Sequence, residues 1–159
     1  MKVLVLGKGG REHALVYACS KSRLVDKIYA APGNVGMEPL AELVELRDDD
    51  VKGLTEFAKA KQIDLTIVGP ESSLSLGVVD AFQAEGLKIF GPSKDAAQVE
   101  TSKDFAKRIM KKYHIPTAAY QTFDNYEDAL AYVEEKGAPI VIKEDGLKAS
   151  KGVTVAESL

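Results

Sequence analysis

Met1-Lys-Val-Leu-Val-Leu-Gly-Lys-Gly-Gly-Arg-Glu-His13 is the stretch around which the chain is organised. Its apolar run, residues 3–6, meets glycines at 7, 9 and 10, and a helix-permissive stretch, 11–19, follows. That is the strand, turn, helix order of a nucleotide- or phosphate-binding unit. N–H groups left without partners at such a helix start attract an anion, and glycines let the anion come close. A strand edge that merely needs tight turns is the alternative; glycines clustered at this junction favour an anion without identifying it.

Outward from there, residues 1–99 alternate short apolar runs with helical patterns. Strands are expected at 27–30, 43–46, 65–68 and 88–90, and helices at 12–20, 51–60 and 77–84. Several intervals are long enough for crossover helices, so the sheet is expected to be mostly parallel. Gly53 weakens the second helix, whereas Asp48-Asp-Asp50 offers acids to its start. Pro32-Gly33, Gly69-Pro70 and Gly91-Pro92 follow strands and mark turns. In an open α/β sheet ligands sit at the carboxyl ends of strands. Chain order alone therefore gathers Gly9, Gly10, Pro32, Gly33, Asn34, Gly69, Pro70 and Glu71 at one edge.

After Gly91-Pro92 the rhythm changes. A helix is expected at 101–113, with Phe105 and Ile109 on one side and a basic surface from Lys103, Lys107, Arg108, Lys111 and Lys112. His114-Ile-Pro116 breaks it. A strand at 117–122, a helix at 126–136, a strand at 139–143 and a last apolar run at 152–156 complete the pattern. The domain boundary is expected near 92–116, and the short second section reads as an unfinished domain. Glu127-Asp128 and Glu134-Glu135 fall in a helix whose polar face carries charge anyway.

The side chains narrow the chemistry. In Gly7-Lys-Gly-Gly-Arg-Glu12 a glutamate stands where the third glycine of a nicotinamide-dinucleotide fingerprint belongs, and Pro32-Gly33-Asn34 stands where an acidic ribose ligand belongs. A dinucleotide oxidoreductase is therefore a runner-up only. Arg11 can fork onto phosphate oxygens or pair with Glu12 or another acid. His13 reads as a buried or capping residue. Glu71 can bind ribose hydroxyls or an amine, or compensate a helix start. Lys143 ends an apolar strand before a glycine-containing loop with Lys148 and Lys151. Three ammonium groups there suit a triphosphate, and a solvated basic hairpin is the competing reading. No Gly-Lys-Ser/Thr order occurs, so the loop is not a Walker A sequence.

Composition excludes several classes. With 45% hydrophobic and 28% charged residues and a formal net charge of -3, nothing indicates disorder or a nucleic-acid partner. Two histidines and one cysteine leave little room for a zinc site or a disulfide framework, and Cys19 reads as a small buried apolar residue. No stretch is long and apolar enough for a membrane span, and the opening run is too short for a secretory signal. A cytoplasmic protein is expected by default.

The complete pattern resembles the phosphoribosylamine–glycine ligase family, the glycinamide ribonucleotide synthetases of the ATP-grasp superfamily. The resemblance rests on Gly7-Lys-Gly-Gly-Arg-Glu-His-Ala14, Ala31-Pro-Gly-Asn34, Asp64-Leu-Thr-Ile-Val-Gly-Pro-Glu71, Leu87-Lys-Ile-Phe-Gly-Pro92, Ser102-Lys103 with Phe105, and Gly137-Ala-Pro-Ile-Val-Ile-Lys143 followed by Asp145-Gly-Leu147 and Lys151-Gly-Val153. It implies a Rossmann-like, mostly parallel open α/β sheet followed by an incomplete α+β ATP-grasp segment. Residues 1–92 would form the substrate-binding domain, 93–116 a linker and helix, and 117–159 the beginning of the ATP-grasp domain.

The same resemblance implies an enzyme of purine biosynthesis that ligates glycine to 5-phosphoribosylamine at the expense of ATP, with Mg2+ or Mn2+. It points to Gly9, Gly10, Arg11, Gly33, Asn34 and Glu71 for the phosphoribosyl substrate. For ATP it points to Lys103, Lys143, Asp145, Gly146, Lys151 and Gly152, with 145–152 as a phosphate lid. Glu144, Lys148 and Ser150 depart from the small residues usual there. Metal ligands and the glycine site are expected outside the sequence given, and this piece alone is expected to be inactive. The alternatives are a noncatalytic phosphosugar-binding module and a related carboxylate–amine ligase with another substrate.

Overall fold

The computed structural model describes residues 1–148 and 151–158, which fall into two compact units, Met1–Ala97 and Gln98–Leu159. In the first, β1 (Lys2–Gly7), β2 (Lys27–Pro32), β3 (Glu42–Leu43), β4 (Leu65–Val68) and β5 (Ile89–Phe90) form one sheet in the order β3-β2-β1-β4-β5. Every pairing is parallel, as the alternation of apolar runs and helical patterns predicts.

The central strand shows why this sequence makes this sheet. Val3, Leu4, Val5 and Leu6 are each 2% exposed or less, as a strand covered on both faces requires. Leu4 and Leu6 join Tyr29 and Ala31 against Leu54 and Ala58 of α2 (Val51–Lys61) and Val79 and Phe82 of α4 (Val78–Ala84). Val3 and Val5 join Ile28 and Ala30 against Val16 of α1 (Gly10–Ser20) and Met37. Alternate side chains thus feed two cores on opposite faces, and each fully buried aliphatic contributes about 1.5–3 kcal/mol. In α2 the glycine that weakens the helical pattern belongs to its cap. Asp50 accepts the Gly53 N–H at 2.9 Å, and a Cβ at residue 53 would overlap that carboxylate.

Some expectations change. The strand expected at 43–46 pairs only over Glu42–Leu43; the Leu46 N–H bonds to the Val44 carbonyl, curling the chain so that both side chains pack on the core. A short helix, α3 (Glu71–Ser75), precedes α4, anchored where the buried Ser73 hydroxyl donates to the Asp48 carbonyl at 2.6 Å. Two helices occupy the region where one is expected: α5 (Lys94–Thr101), which crosses the division between units, and α6 (Lys103–Lys112). Ser102 separates them, its hydroxyl accepting the Phe105 N–H at 3.1 Å as an N-cap.

The second unit continues with α7 (Tyr126–Lys136) and an antiparallel pair, β6 (Ile140–Lys143) and β7 (Val153–Ala156), in register Lys143↔Val153. The strand expected at 117–122 does not form. Side chains of α6 take its place in satisfying this segment: Lys107 Nζ donates to Thr117 Oγ1 and the Ala118 carbonyl, and Thr122 Oγ1 donates to Asp104. Among the described residues no helix is long and apolar enough to cross a membrane.

Candidate functional site

Three loops leave the sheet at one level. Leu6 lies beside both Ala31 and Val68 in the register, and Gly7 lies beside Pro32. The turns that follow, carrying Gly9, Gly10 and Arg11, then Gly33 and Asn34, then Glu71, therefore share the carboxyl edge. Strand order reverses between β1 and β4. Their two loops flank the switch point, where open α/β sheets take ligands.

The residue that organises this edge is Glu12, which the sequence offers as a mismatch to a dinucleotide fingerprint and as one possible partner of Arg11, the pairing that the structure shows. It is 4% exposed. One carboxylate oxygen accepts the Gly9 N–H at 2.7 Å and the other accepts Arg11 Nε at 2.7 Å. Arg11 Nη2 reaches on to Glu71 at 3.2 Å. The surrounding glycines make room for this side chain: a Cβ on Gly7 would stand 2.7 Å from Glu12 Cγ, one on Gly9 2.8 Å from Oε2, and one on Gly69 would overlap the carboxylate. Gly10 differs, because a Cβ there would meet nothing within 4 Å. The amide offered to an outside anion at Gly9 is thus taken by the chain's own carboxylate. The spacing Gly9-x-x-Glu12 at a helix start is the signal that could have revealed it.

The charges respond to this arrangement. The bond to Glu12, with a further one to Glu71 and against the cost of burial, raises the Arg11 guanidinium above its ordinary value. Glu71 is held below the usual carboxylate value by its own backbone N–H, opposed by burial and assisted by Arg11. Its position at the start of α3 and its pairing with Arg11 coexist.

The second loop is tied to the first. Asn34 donates from Nδ2 to the Lys8 carbonyl at 2.8 Å and accepts the Gly36 N–H at 2.9 Å, capping a single 3₁₀ turn. Gly33 has φ +71°, and a Cβ there would lie 2.6 Å from a Leu43 methyl, so both its backbone and its surroundings call for glycine. His13 stands half-buried beside Gly36, where an added Cβ would be 2.8 Å from the imidazole. Packing accounts for this histidine.

In the second unit the loop after β6 is fastened to the start of α6. Asp145 accepts the Lys103 N–H at 2.6 Å, the Ser102 hydroxyl at 3.0 Å and the Asp104 N–H at 3.3 Å. Lys103 Nζ donates in return to the Gly146 carbonyl at 2.8 Å. Burial pushes the Asp145 carboxyl up, but N–H donors from Gly146, Lys103 and Asp104 and the Ser102 hydroxyl outweigh it and leave a net depression. Lys103, Asp145 and Gly146 are thereby brought together, with Lys143 ending the adjoining strand. The loop closes through Glu144 N–H to the Gly152 carbonyl and Lys151 N–H to the Lys148 carbonyl, both 2.8 Å. Lys148 pairs with Glu144, joining two of the unusual lid residues, and Gly152 has φ +76°. Ser150, with Ala149, lies outside the described residues.

Among the described residues no three His, Cys, Asp or Glu side chains come together to hold a metal ion. The acids near the loop do not fit one: Glu144 is paired with Lys148 and Asp145 with the α6 donors.

Comparisons with known proteins extend over both units. The profile of the phosphoribosylglycinamide synthetase N domain matches residues 1–100, and that of the phosphoribosylglycinamide synthetase ATP-grasp (A) domain matches residues 101–159. The chain is 57% identical over 161 aligned positions to a phosphoribosylamine–glycine ligase of Salmonella typhimurium and 56% identical to one of Escherichia coli K12. Each alignment takes in 100% of this chain and 38% of the relative, so the chain spans well under half their length. Among solved structures, phosphoribosylamine–glycine ligase of Thermotoga maritima superposes with a TM-score of 0.76 at 32% identity, over 99% of this chain and 36% of that one. The N5-carboxyaminoimidazole ribonucleotide synthetase of the same organism reaches 0.74 at 20% identity over 99% and 41%, a likeness of fold alone.

Proposed function

The chain belongs to the phosphoribosylglycinamide synthetase family, and on that premise we propose that it supplies the phosphoribosyl-binding domain and the opening of the ATP-grasp domain of a glycine-ligating enzyme. The reaction joins glycine to 5-phosphoribosylamine. ATP phosphorylates the glycine carboxylate; the amine attacks the resulting acyl phosphate, phosphate leaves, and glycinamide ribonucleotide and ADP result. The sequence of steps answers a chemical difficulty, since a carboxylate is a poor electrophile and an acyl phosphate carries a competent leaving group. This is a step of purine biosynthesis, placed in the cytoplasm.

On this reading residues 1–92 hold the phosphoribosyl substrate, 93–116 link, and 117–159 begin the ATP-grasp domain. The observation that carries it is the polar rim at the switch point, where Arg11, Asn34 and Glu71 stand on three loops of one sheet edge. A guanidinium and an amide there can hydrogen-bond a phosphorylated sugar, and Gly9, Gly10 and Gly33 keep the backbone low beside it. The loop after β6 suits phosphate oxygens, with Lys103, Lys143 and Lys151 as cations and Asp145, Gly146 and Gly152 shaping its turns. A triphosphate there exchanges the Lys103 contact to the Gly146 carbonyl for phosphate. The described residues do not supply a magnesium or manganese site, and none of these steps is assigned to one.

The test is a full-length assay with glycine, ATP, magnesium and phosphoribosylamine, following ADP and glycinamide ribonucleotide. Equal amounts of both products, each dependent on glycine, support the proposal. Folded protein that binds the sugar phosphate without ATP-dependent product indicates a noncatalytic binding module instead.

A further inference from the structure

Glu12 sits where no ligand-binding role calls for it and where burial makes it costly. An ionised carboxylate removed from water loses several kcal/mol of solvation unless partners replace that water. Here each oxygen has one such partner: the Gly9 amide on one and Arg11 Nε on the other. Gly7, which ends β1, and Gly69, which follows β4, clear space for this side chain. An acid added only to favour a helix start needs neither the clearance nor the guanidinium.

We infer that Glu12 is a positioning residue of the phosphoribosyl rim, filling the amide-lined space at the start of α1 and fixing Arg11 across the switch point towards Glu71. This rests on the reading of that rim as the phosphoribosyl site. The geometry of arginine explains the consequence. Its five N–H groups lie in one plane in a rigid fork, so a bond at Nε sets the direction of both Nη groups. With Nε on Glu12 and one Nη2 hydrogen on Glu71, the two N–H groups of Nη1 and the second of Nη2 remain outside these pairings. Glu12 also takes up the Gly9 N–H, so substrate meets Arg11 and not that amide.

The experiment is a double-variant cycle in the full-length enzyme, Glu12→Gln and Arg11→Ala, read as KM for phosphoribosylamine, KM for ATP and kcat. Glutamine is nearly isosteric, but its amide nitrogen must face one of two donors, so one of the bonds is lost. Glu12→Gln is expected to raise KM for phosphoribosylamine about tenfold with KM for ATP unchanged, the scale of one charged hydrogen bond. If Glu12 acts through Arg11, the double variant is no worse than Arg11→Ala alone. Additive losses, or a folded Glu12→Gln enzyme with unchanged KM beside an impaired Arg11→Ala, overturn the positioning role and leave the rim reading standing. An unchanged KM in Arg11→Ala overturns the rim reading itself. Should Glu12→Gln fail to fold, solvent exchange of the Arg11 Nε–H in arginine-labelled wild-type enzyme decides: a protected signal, lost in Arg11→Lys, supports the role, and free exchange overturns it.

Discussion

Asp145 accepts the backbone N–H of Lys103 at 2.6 Å, while the Lys103 ammonium donates to the carbonyl of Gly146 at 2.8 Å. Two residues expected to serve ATP thus form a reciprocal latch between the first turn of α6 and the loop after β6. Asp145→Ala removes the acceptor for the Ser102 hydroxyl and the Lys103 and Asp104 amides at once. We expect KM for ATP in the full-length enzyme to rise about tenfold, as for loss of charge-assisted hydrogen bonds, with KM for phosphoribosylamine little changed. Hydrogen exchange at the Lys103 and Asp104 amides should accelerate in the same variant; unchanged protection there would show that the latch is not formed.

The latch also has a pH signature. The Asp145 carboxyl is depressed in the folded chain, so its contribution is fully present above the ordinary Asp value of about 3.9 and is lost as pH falls through the lower folded value. Protection of the α6 amides should therefore hold down to that range and fail below it. In Asp145→Asn the acid-dependent step should vanish.

Two glycines of the opening rim should behave in opposite ways. Gly69→Ala drives a methyl group into Glu12 and is expected to cost about 1–3 kcal/mol in thermal or urea unfolding, as overpacking does. Gly10→Ala meets nothing within 4 Å at the first position of α1 and should be neutral or stabilising by about 0.4–1 kcal/mol. If Gly10 keeps the rim open for substrate, the same Gly10→Ala enzyme loses affinity for phosphoribosylamine while its stability holds.

Much of this architecture is legible in the sequence because apolar runs and glycine turns are local signals. Residues 3–6 announce a doubly covered strand, and the turns after β1, β2 and β4 place Arg11, Asn34 and Glu71 at one edge through chain order. Glu12 was harder to read because its role depends on Gly69, which lies fifty-seven positions further along and reaches it only through the pairing of β1 with β4. Asp145 hides in the same way, since a loop acid capping a helix forty-two positions earlier leaves no periodic trace. The strand expected at 117–122 does not form where α6 side chains take up polar groups of the segment, a property of the surroundings and not of the segment.

Lys143 ends β6, opposite Val153 in the ladder, and so stands at the root of the loop fastened by Asp145. Lys143→Ala should lower ATP-dependent turnover at least tenfold, the scale of a lost charged contact to phosphate. Binding of ribose 5-phosphate to the same full-length variant, measured by calorimetry, should be unchanged, because the rim belongs to the first unit. Equal loss of both with normal folding would contradict the division of labour between the units.

The most direct measurement is a crystal structure of the full-length enzyme with glycinamide ribonucleotide bound. The account predicts the phosphoribosyl portion at the carboxyl edge of β1, β2 and β4, with Arg11 in contact and still held at Nε by Glu12. A rim left empty, with the product seated against other elements, would contradict it.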